Sequence, residues 1–259
     1  DTKVTDMLYQ CYHLAALRDE EPTDEFDALF AQIKDRYQLI IDGLKLDISL
    51  EEDFQEIHEQ FIKRAGRDYA ASRGEYLNGK ILAAYLDFVF VDPAETIFFD
   101  EEGNLDLKKT DEVLGERLSS MEYAVIPGFY GCSAEGKVKT FSRGGSDITG
   151  SIVSRAVRAD VYENWTDVSG FLITDPRIVP GAKTIDVITY RELRELSYMG
   201  ATVLHEDAIF PIRKEGIPIN IRNTNAPEDK GTLIVEATCQ KPKYIITGVA
   251  GKKDFASIT

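Results

Sequence analysis

Apolar residues in the first third of the chain recur at three- and four-residue spacing, which predicts three amphipathic helices. In the first helix, Val4, Leu8 and Cys11 share one apolar face. A second helix is predicted over residues 24–39, with Tyr37 on its apolar stripe. A third is predicted from near residue 49, where the letters SLEE resemble a capping box. Helix packing alone explains these apolar stripes, so they indicate no particular function.

After residue 86 the pattern changes to short apolar runs that alternate with amphipathic segments. The runs, bounded by Gly, Pro or Asp, predict buried strands, and the amphipathic segments predict helices. This alternation predicts an α/β sandwich around a largely parallel sheet. The predicted strands are 87–91, 97–99, 123–126, 137–141, 159–165, 217–223 and 232–236, and the predicted helices are 106–120, 147–158, 190–199 and 205–214.

Composition narrows the classes of partner. The chain has 259 residues and a formal net charge of -15, and such an acidic protein lacks the basic face that nucleic acid requires. Apolar runs are too short to span a bilayer, so no membrane partner is expected. The three cysteines and three histidines are dispersed without metal-ligand spacing, so no metal site is expected. Scattered free thiols favour a cytoplasmic location.

The most distinctive segment is the glycine turn at residues 141–151, with the sequence FSRGGSDITGS. It joins an apolar strand to a helix, and the free N–H groups of a helix start favour anions. Arg143 could hold a carboxylate through two hydrogen bonds. Asp147 could anchor an amine or organise cationic groups around a phosphate. Taken alone, however, a Gly-Gly pair before a helix is more often only a tight turn.

Two further polar segments lie where ligands can bind. Residues 164–170 follow a predicted strand at its carboxyl end, the usual ligand-binding edge of an open α/β sheet. A turn at 174–177 then presents an arginine, although on chemistry alone both segments are polar loops with capping residues. Residues 72–77 are predicted to open a helix, where Glu75 would complement the helix dipole. The common phosphate-binding motifs GxxxxGK[ST] and GxGxxG are absent from the sequence.

Taken in order, eight segments resemble the signatures of the aspartate kinase branch of the amino-acid kinase family. The resemblance runs from about Lys3 to Val235, and the set is far more specific than any one motif. The segments are 72–75 (SRGE), 127–129 (PGF), 143–147 (RGGSD), 165–168 (WTDV), 174–177 (TDPR), 195–201 (ELSYMGA), 203–205 (VLH) and 217–219 (IPI) leading into 222–224 (RNT).

The resemblance implies a three-layer αβα sandwich with a mainly parallel sheet. It implies transfer of the γ-phosphoryl group from MgATP to the side-chain carboxylate of L-aspartate, giving 4-phospho-L-aspartate. This is the first step of lysine, threonine and methionine biosynthesis. Such chemistry depends mainly on in-line positioning and charge neutralisation. ATP and Mg²⁺ are therefore the expected cofactors.

The resemblance also implies roles for individual residues. Arg143 would hold the α-carboxylate of aspartate and Glu75 its ammonium group. Asp147 would organise the cationic groups around the transferring phosphoryl, so that Asp147 and Arg143 are the predicted catalytic residues. The remaining predicted site residues are Thr5, Phe129 and Gly144 for aspartate and Thr166, Asp167 and Arg177 for the nucleotide.

The chain departs from the family pattern at several points. No lysine-bearing KxGGxS strand precedes Thr5, and Thr202 and Glu206 stand where many members have a lysine and a proline. Leu172 stands where some members have a tyrosine facing the nucleotide. The last two departures concern contacts with ATP and not the reaction.

We therefore expect a chain cut short at both ends of the complete enzyme. Residues 1–238 would form the kinase domain, and 239–259 a linker and the first strand, from Tyr244, of an ACT regulatory domain. By resemblance, paired ACT domains would bind a feedback amino acid such as lysine or threonine. A homo-oligomer is expected on the same basis.

Two alternatives remain open from the sequence. One is another amino-acid kinase, acting on glutamate or acetylglutamate. Glu75 together with Arg143 argues against an acylated amine, because an acidic partner favours a free ammonium group. The other is a non-catalytic, ligand-binding regulatory homologue that has lost the lysine-bearing strand. Whether the parent gene encodes KxGGxS upstream of residue 1 would separate truncation from loss.

Overall fold

The first helices form the core of one compact unit. A computed structural model describes residues 2–16, 24–142, 144–198, 206–238 and 245–251 of the chain. The chain divides into two compact units, Asp1–Ser146 and Asp147–Thr259. The first unit opens with α1 (Val4–Ala16), α2 (Asp24–Leu44), α3 (Glu51–Ile62) and α4 (Arg67–Leu86).

The apolar stripes predicted from the sequence meet in this core. Phe30 lies edge-on to Phe54 of α3 and to Phe61, with 6.4 Å between ring centroids in each pair. Leu8 of α1 and Ile33 of α2 are fully buried beside them. The three predicted helices are confirmed, and α2 extends beyond the predicted end at residue 39.

Two details of the helix predictions are wrong. The capping box at 49–52 does not form, because Leu50 is the N-cap of α3 and no side chain caps it. Ser49 Oγ only accepts a 3.3 Å hydrogen bond from the backbone N–H of Glu51. Residues 72–77 do not open a helix either. Since α4 begins at Arg67, Glu75 lies about two turns inside it.

The rest of the first unit consists of short elements. They are β1 (Val89–Phe90), α5 (Pro93–Thr96), α6 (Leu107–Leu118), β2 (Ala124–Val125), β3 (Tyr130–Cys132) and β4 (Val138–Thr140). Strands β1 and β2 pair in parallel, and β3 and β4 form an antiparallel pair. Asp92 caps α5 by accepting a 2.9 Å hydrogen bond from the N–H of Ala94, while Pro93 fits the first helical position.

Several strand predictions in this unit need correction. The buried strand predicted over 87–91 shrinks to two residues, because Asp87 adopts a left-handed conformation that ends α4, and Val89 is 44% exposed. Residues 97–99 form no strand, and Phe98 and Phe99 make only isolated bridges. Strand β3 and helix α5 were not predicted.

The second unit contains a four-stranded sheet. Helix α7 (Gly145–Ala156) starts at the end of the first unit, and β5 (Tyr162–Thr166), β6 (Val187–Thr189), α8 (Tyr190–Tyr198), α9 (Glu206–Arg213), β7 (Ile219–Asn223) and β8 (Thr232–Val235) follow. The strand order is β5-β7-β8-β6. Strand β5 is parallel to β7 and β6 to β8, whereas β7 and β8 are antiparallel. Ile188, Ile219, Ile221 and Ile234 are fully buried in this sheet.

The α/β class is confirmed, and parallel pairs make up much of the sheet. The strand predicted from Tyr244 is not found in residues 245–251, and Tyr244 itself lies outside the described residues. The assignment of this segment to a second domain remains a prediction. Among the described residues, every helix is too short or too polar to cross a lipid bilayer.

Candidate active site

Glu75 presents a carboxylate oxygen that the protein does not satisfy. Its Oε2 atom is shielded from water and has no hydrogen-bond partner. Burial raises the pKa of the Glu75 carboxyl, opposed by a hydrogen bond from its own backbone N–H and by the charge of Arg73. A buried acceptor without a donor costs about 1–3 kcal/mol, and more when the group is charged. This position therefore favours a ligand that brings a positive charge or several N–H donors.

Two hydroxyl groups lie beside the turn of α4 that carries Glu75. A Cβ atom at Gly74 would stand 4.0 Å from both Thr5 Oγ1 of α1 and Tyr37 Oη of α2. Tyr37 Oη donates a 3.1 Å hydrogen bond to the Gly74 carbonyl. The structure thus brings the predicted residue Thr5 to Gly74, the residue before the predicted residue Glu75. It adds Tyr37, which the sequence had placed only on a core stripe.

Arg73 ties α4 to the start of β3. The residue is 5% exposed, and its guanidinium donates to Ser72 Oγ at 3.0 and 3.1 Å. It lies over the rings of Tyr69 and Tyr76, 4.5 Å from each centroid, and 5.3 Å from that of Tyr130. Cation–π contacts of this kind are strongest when the cation is desolvated. Tyr130 directly follows the predicted pocket residue Phe129, so one buried cation connects α4 with that loop.

Phe129 adopts a strained backbone conformation. Its φ is 87°, a region that bulky residues rarely occupy, and its carbonyl accepts a 2.9 Å hydrogen bond from the N–H of Phe141. The loop lies directly against the start of α7. A Cβ atom at Gly145 would be 2.8 Å from Phe129 Cδ2, and one at Gly128 would be 2.8 Å from Ser146 Oγ. Glycine is therefore required on both sides of this contact.

Helix α4 also positions the glycine turn. Asp68 in its first turn accepts a 3.1 Å hydrogen bond from the N–H of Thr140, at the end of β4. Gly79 allows Pro127 to approach so closely that a Cβ atom there would be 2.6 Å from the ring. Gly144 has a φ of 56°, so its position in the turn favours glycine. Arg143 lies outside the described residues.

In the second unit, Asp147 is held by the first strand of the sheet. It lies in the first turn of α7, and its Oδ1 accepts a 2.9 Å hydrogen bond from Asn164 Nδ2 of β5. Asn164 is buried, and its Nδ2 also lies 2.8 Å from Tyr162 Oη. Gly150 makes room for the Tyr162 ring, because a Cβ atom there would be 2.5 Å from Oη. Asn164, which the sequence placed at the end of a predicted strand without a role, thus fixes the predicted catalytic carboxylate.

Thr166 and Asp167 lie at the carboxyl end of β5, as predicted. Thr166 pairs with Asn223 of the parallel strand β7, and its carbonyl accepts hydrogen bonds from Thr224 N and Oγ1 at 2.8 and 3.0 Å. Thr166 Oγ1 and Asp167 Oδ1 are 3.3 Å apart, and Asp167 is exposed. Two adjacent strands therefore present polar groups at one edge of the sheet, the position that favours ligands in α/β proteins.

A polar cluster that the sequence did not reveal lies at the same edge. Ser169 Oγ donates to Asp229 Oδ2 at 2.5 Å and accepts from Asn223 Nδ2 at 2.9 Å. Asn223 belongs to the quoted RNT segment, but no pattern in the sequence singles out Asp229. The 60-residue separation of Ser169 and Asp229 explains why.

Arg177 is not brought to Thr166 or Asp167. Its guanidinium is 88% exposed and binds the Asp175 carboxylate, with Nε–Oδ1 at 3.0 Å and Nη2–Oδ2 at 2.6 Å. The Arg177 guanidinium also lowers the pKa of the Asp175 carboxyl. Leu172 forms an isolated antiparallel β-bridge with Thr184, and Arg177 lies in the segment between these two residues. Thr202 and the side chain of Glu206 lie outside the described part of the chain.

No group of three or more His, Cys, Asp or Glu side chains with the geometry of a metal site occurs within the described residues. In a kinase that uses MgATP, the Mg²⁺ ion arrives with the nucleotide and is counted as part of that substrate.

Comparisons with known proteins give consistent matches. The model of the amino acid kinase family matches residues 15–223. Aspartokinase 3 of Bacillus subtilis is 37% identical over 272 aligned positions, which cover all of this chain and 59% of that relative. The crystal structure of Clostridium acetobutylicum aspartate kinase, described as an allosteric enzyme, is 55% identical with a TM-score of 0.88 and covers 96% of this chain.

A third match is more distant. The structure of Escherichia coli aspartokinase III in complex with lysine and aspartate is 25% identical, with a TM-score of 0.72 over 92% of this chain. This chain spans 57% of each of the two structures and 59% of the Bacillus subtilis sequence, so it covers little more than half of its relatives.

Proposed function

Because this chain belongs to the amino acid kinase family, we propose that it is the catalytic portion of an aspartate kinase. One oxygen of the aspartate side-chain carboxylate bonds to the γ-phosphorus of MgATP. The bond from that phosphorus to the ADP oxygen breaks, which yields 4-phospho-L-aspartate and ADP. This reaction would be the first step of lysine, threonine and methionine biosynthesis. The Bacillus subtilis aspartokinase and the 55% identical Clostridium aspartate kinase support the proposal.

The observation that carries the proposal is the partnerless Oε2 atom of Glu75. The ammonium group of an amino acid supplies both the positive charge and the N–H donors that this oxygen lacks. An acylated amine would supply no charge, and an uncharged ligand would leave the desolvation of the carboxylate uncompensated. The pocket therefore fits a free amino acid and argues against acetylglutamate.

The other residues of the first unit complete an amino-acid site in this proposal. Arg143 holds the α-carboxylate, and Thr5, Phe129 and Gly144 shape the pocket around the carbon skeleton. The proposed role of Thr5 in this pocket is supported by its position beside Gly74. Phe129 is supported by its strained φ of 87°, since strain of this kind concentrates at ligand sites.

Asp147 organises the cationic groups around the transferring phosphoryl group in this proposal. The hydrogen bond from Asn164 fixes its carboxylate before substrates arrive, so that no reorganisation is needed during phosphoryl transfer. Thr166 and Asp167 contact the nucleotide from the carboxyl edge of β5 and β7. Arg177, already charged and exposed, exchanges its partner Asp175 for the phosphates or ribose of ATP.

Regulation and assembly extend the same proposal. A feedback amino acid such as lysine or threonine would bind ACT domains, the first strand of which we place from Tyr244. The Escherichia coli relative was crystallised with lysine and aspartate, which favours an amino-acid effector. A homo-oligomer follows from the same family resemblance.

The test is aspartate-dependent ADP release by the full-length protein with MgATP. We expect turnover with L-aspartate and none with L-glutamate or N-acetyl-L-glutamate. Glu75→Gln keeps the size of the side chain but removes its charge, and should raise KM for aspartate strongly. Asp147→Asn should lower kcat instead, because it acts on the phosphoryl group.

Two exposed residues provide matched controls. Glu116 in α6 and Asp160 before β5 are exposed, so Glu116→Gln and Asp160→Asn should behave as wild type. Turnover with glutamate in place of aspartate would move the assignment to another kinase of the family. Binding of aspartate without any turnover would instead support a regulatory homologue.

A further inference from the structure

Tyr37 offers an oxygen lone pair beside the unsatisfied carboxylate of Glu75. The side chain lies in the core at 4% exposure, and its Oη donates to the carbonyl of Gly74 at 3.1 Å. That carbonyl belongs to the peptide joining Gly74 to Glu75. A phenol that has given its one proton to a carbonyl can act only as an acceptor toward any further partner.

The proton on Tyr37 stays in place across the working range of pH. Burial raises the pKa of the Tyr37 phenol, and the nearby Glu75 carboxylate raises it further, while Arg36 opposes both weakly. The effect of Glu75 also shows that its carboxylate and the phenol are electrostatic neighbours. The orientation of the hydroxyl group, with its proton on Gly74, is therefore fixed.

Gly74 lets two hydroxyl groups and the Leu8 side chain, 3.7 Å from its Cβ position, pack against one turn of α4. The glycine has no side chain, and the place where its Cβ would stand is 4.0 Å from both Tyr37 Oη and Thr5 Oγ1. Two hydroxyl oxygens, Tyr37 Oη of α2 and Thr5 Oγ1 of α1, thus lie beside Gly74, the residue that precedes Glu75 and its unsatisfied Oε2 in α4. A primary ammonium group has three N–H donors, which matches three acceptors of which one is charged.

We propose that Tyr37 is a substrate-binding residue that accepts a hydrogen bond from the ammonium group of the amino-acid substrate. This inference rests on the proposed function, because it assigns Tyr37 to the same ammonium subsite as Glu75. It extends the site to α2, an element that no segment of the family resemblance reaches.

The test compares two tyrosine-to-phenylalanine variants of the full-length protein. Tyr37→Phe removes the hydroxyl and keeps the ring in the core. Tyr190→Phe is the matched control, because Tyr190 is also buried and donates a 2.7 Å hydrogen bond to a backbone carbonyl, that of Ile217. Both variants lose one tyrosine-to-carbonyl bond, but only the first loses an acceptor next to Glu75.

The readouts are KM for L-aspartate, KM for MgATP and the inhibition constant of succinate, which is aspartate without its ammonium group. In Tyr37→Phe, KM for aspartate should rise about ten- to hundredfold, the range for one hydrogen bond to a charged group. The inhibition constant of succinate and KM for MgATP should not change. Tyr190→Phe should leave all three constants at wild-type values.

Two results would overturn the inference while leaving the proposed function intact. If aspartate and succinate weaken in parallel, Tyr37 supports the pocket only through packing. If neither weakens, the phenol does not reach the substrate. A wild-type protein without aspartate-dependent turnover would instead overturn the proposed function, and this inference with it.

Discussion

At Gly79, α4 is in close contact with the loop before β3. The variant Gly79→Ala therefore tests directly how α4 and this loop, which carry residues of the candidate site, pack against each other. A Cβ atom there would lie 2.6 Å from Pro127 Cγ and 3.1 Å from Phe90 Cε2. The Pro127 ring is closed onto its own backbone and is buried, so it cannot rotate away, whereas Phe90 is half-buried. The backbone of α4 or of the loop must therefore move.

Two opposing terms set the size of the effect. Replacing glycine by alanine inside a helix gains about 1 kcal/mol from propensity. Forcing an extra methyl group into a packed core costs about 1–3 kcal/mol, and the fixed Pro127 ring places this case near the upper end. We expect the free energy of unfolding to fall by about 1–2 kcal/mol in Gly79→Ala.

The assay is urea unfolding followed by circular dichroism, with Gly43→Ala as the control. Gly43 lies near the end of α2 and has no other atoms within 4 Å of its Cβ position, so its alanine variant should gain up to about 1 kcal/mol. Gly79→Ala should also raise KM for aspartate more than KM for MgATP, because the displaced loop carries Phe129. A Gly79→Ala protein as stable as Gly43→Ala would refute the close packing of α4 against Pro127.

Two further predictions concern the carboxylates of the site. Glu75→Gln should stabilise the ligand-free protein at neutral pH, because burial raises the pKa of the Glu75 carboxyl and disfavours its charged form. The folded wild type then binds more protons than the unfolded chain, so its stability falls as pH rises from about 4.3 through the raised pKa. Urea titrations at several pH values should show that the variant's higher free energy of unfolding disappears below that pH window. A difference in the free energy of unfolding that does not depend on pH would contradict this reasoning. Asn164→Ala removes the donor to Asp147, so kcat should fall about tenfold or more with KM for aspartate unchanged. Steady-state kinetics would check this, with Ser154→Ala on α7 as the control, and a change in KM alone would exclude the assigned role.

The helices were predictable where they are amphipathic and not where they are buried on several sides. Helices α1 to α3 show one apolar stripe each, because only one face meets the core. Helix α4 buries residues around most of its circumference, including Ser72 and Arg73, so its start left no periodic signal. For the same reason Glu75 was assigned to a first turn when it lies well inside the helix.

Some residues of the candidate site could likewise be predicted from the sequence, and others could not. Motif resemblance assigned Glu75, Phe129 and Asp147 to the predicted site, because each lies in a short contiguous segment. Tyr37 and Asn164 act through side chains that fold brings together from 37 and 17 residues away. Tyr37 in particular follows the sequence pattern of a core residue, and only the direction of its hydroxyl group distinguishes it from other core residues.

Backbone strain gives an independent reason to place ligand binding at Phe129. The described part of the chain contains five non-glycine residues with positive φ: Lys45, Arg64, Asp87, Phe129 and Arg158. Four of them lie one or two residues beyond the ends of α2, α3, α4 and α7, where a left-handed residue commonly closes a helix. Phe129 closes no helix, and an aromatic side chain gains nothing locally from this conformation.

Two local costs of the free protein fall on residues of the candidate site, a strained aromatic residue and a carboxylate oxygen without a donor, while Tyr69 Oη, Asn220 Oδ1 and Arg222 Nε are further buried atoms without a partner. Each is of the order of 1–3 kcal/mol, a large share of a total stability of about 5–15 kcal/mol. These two residues lie on different elements. Glu75 belongs to α4 itself, and the loop that carries Phe129 is held against α4 by the contacts of Gly79 and Arg73. An ammonium group would satisfy Glu75, and a bound carbon skeleton would pack on Phe129, so a single ligand offsets both.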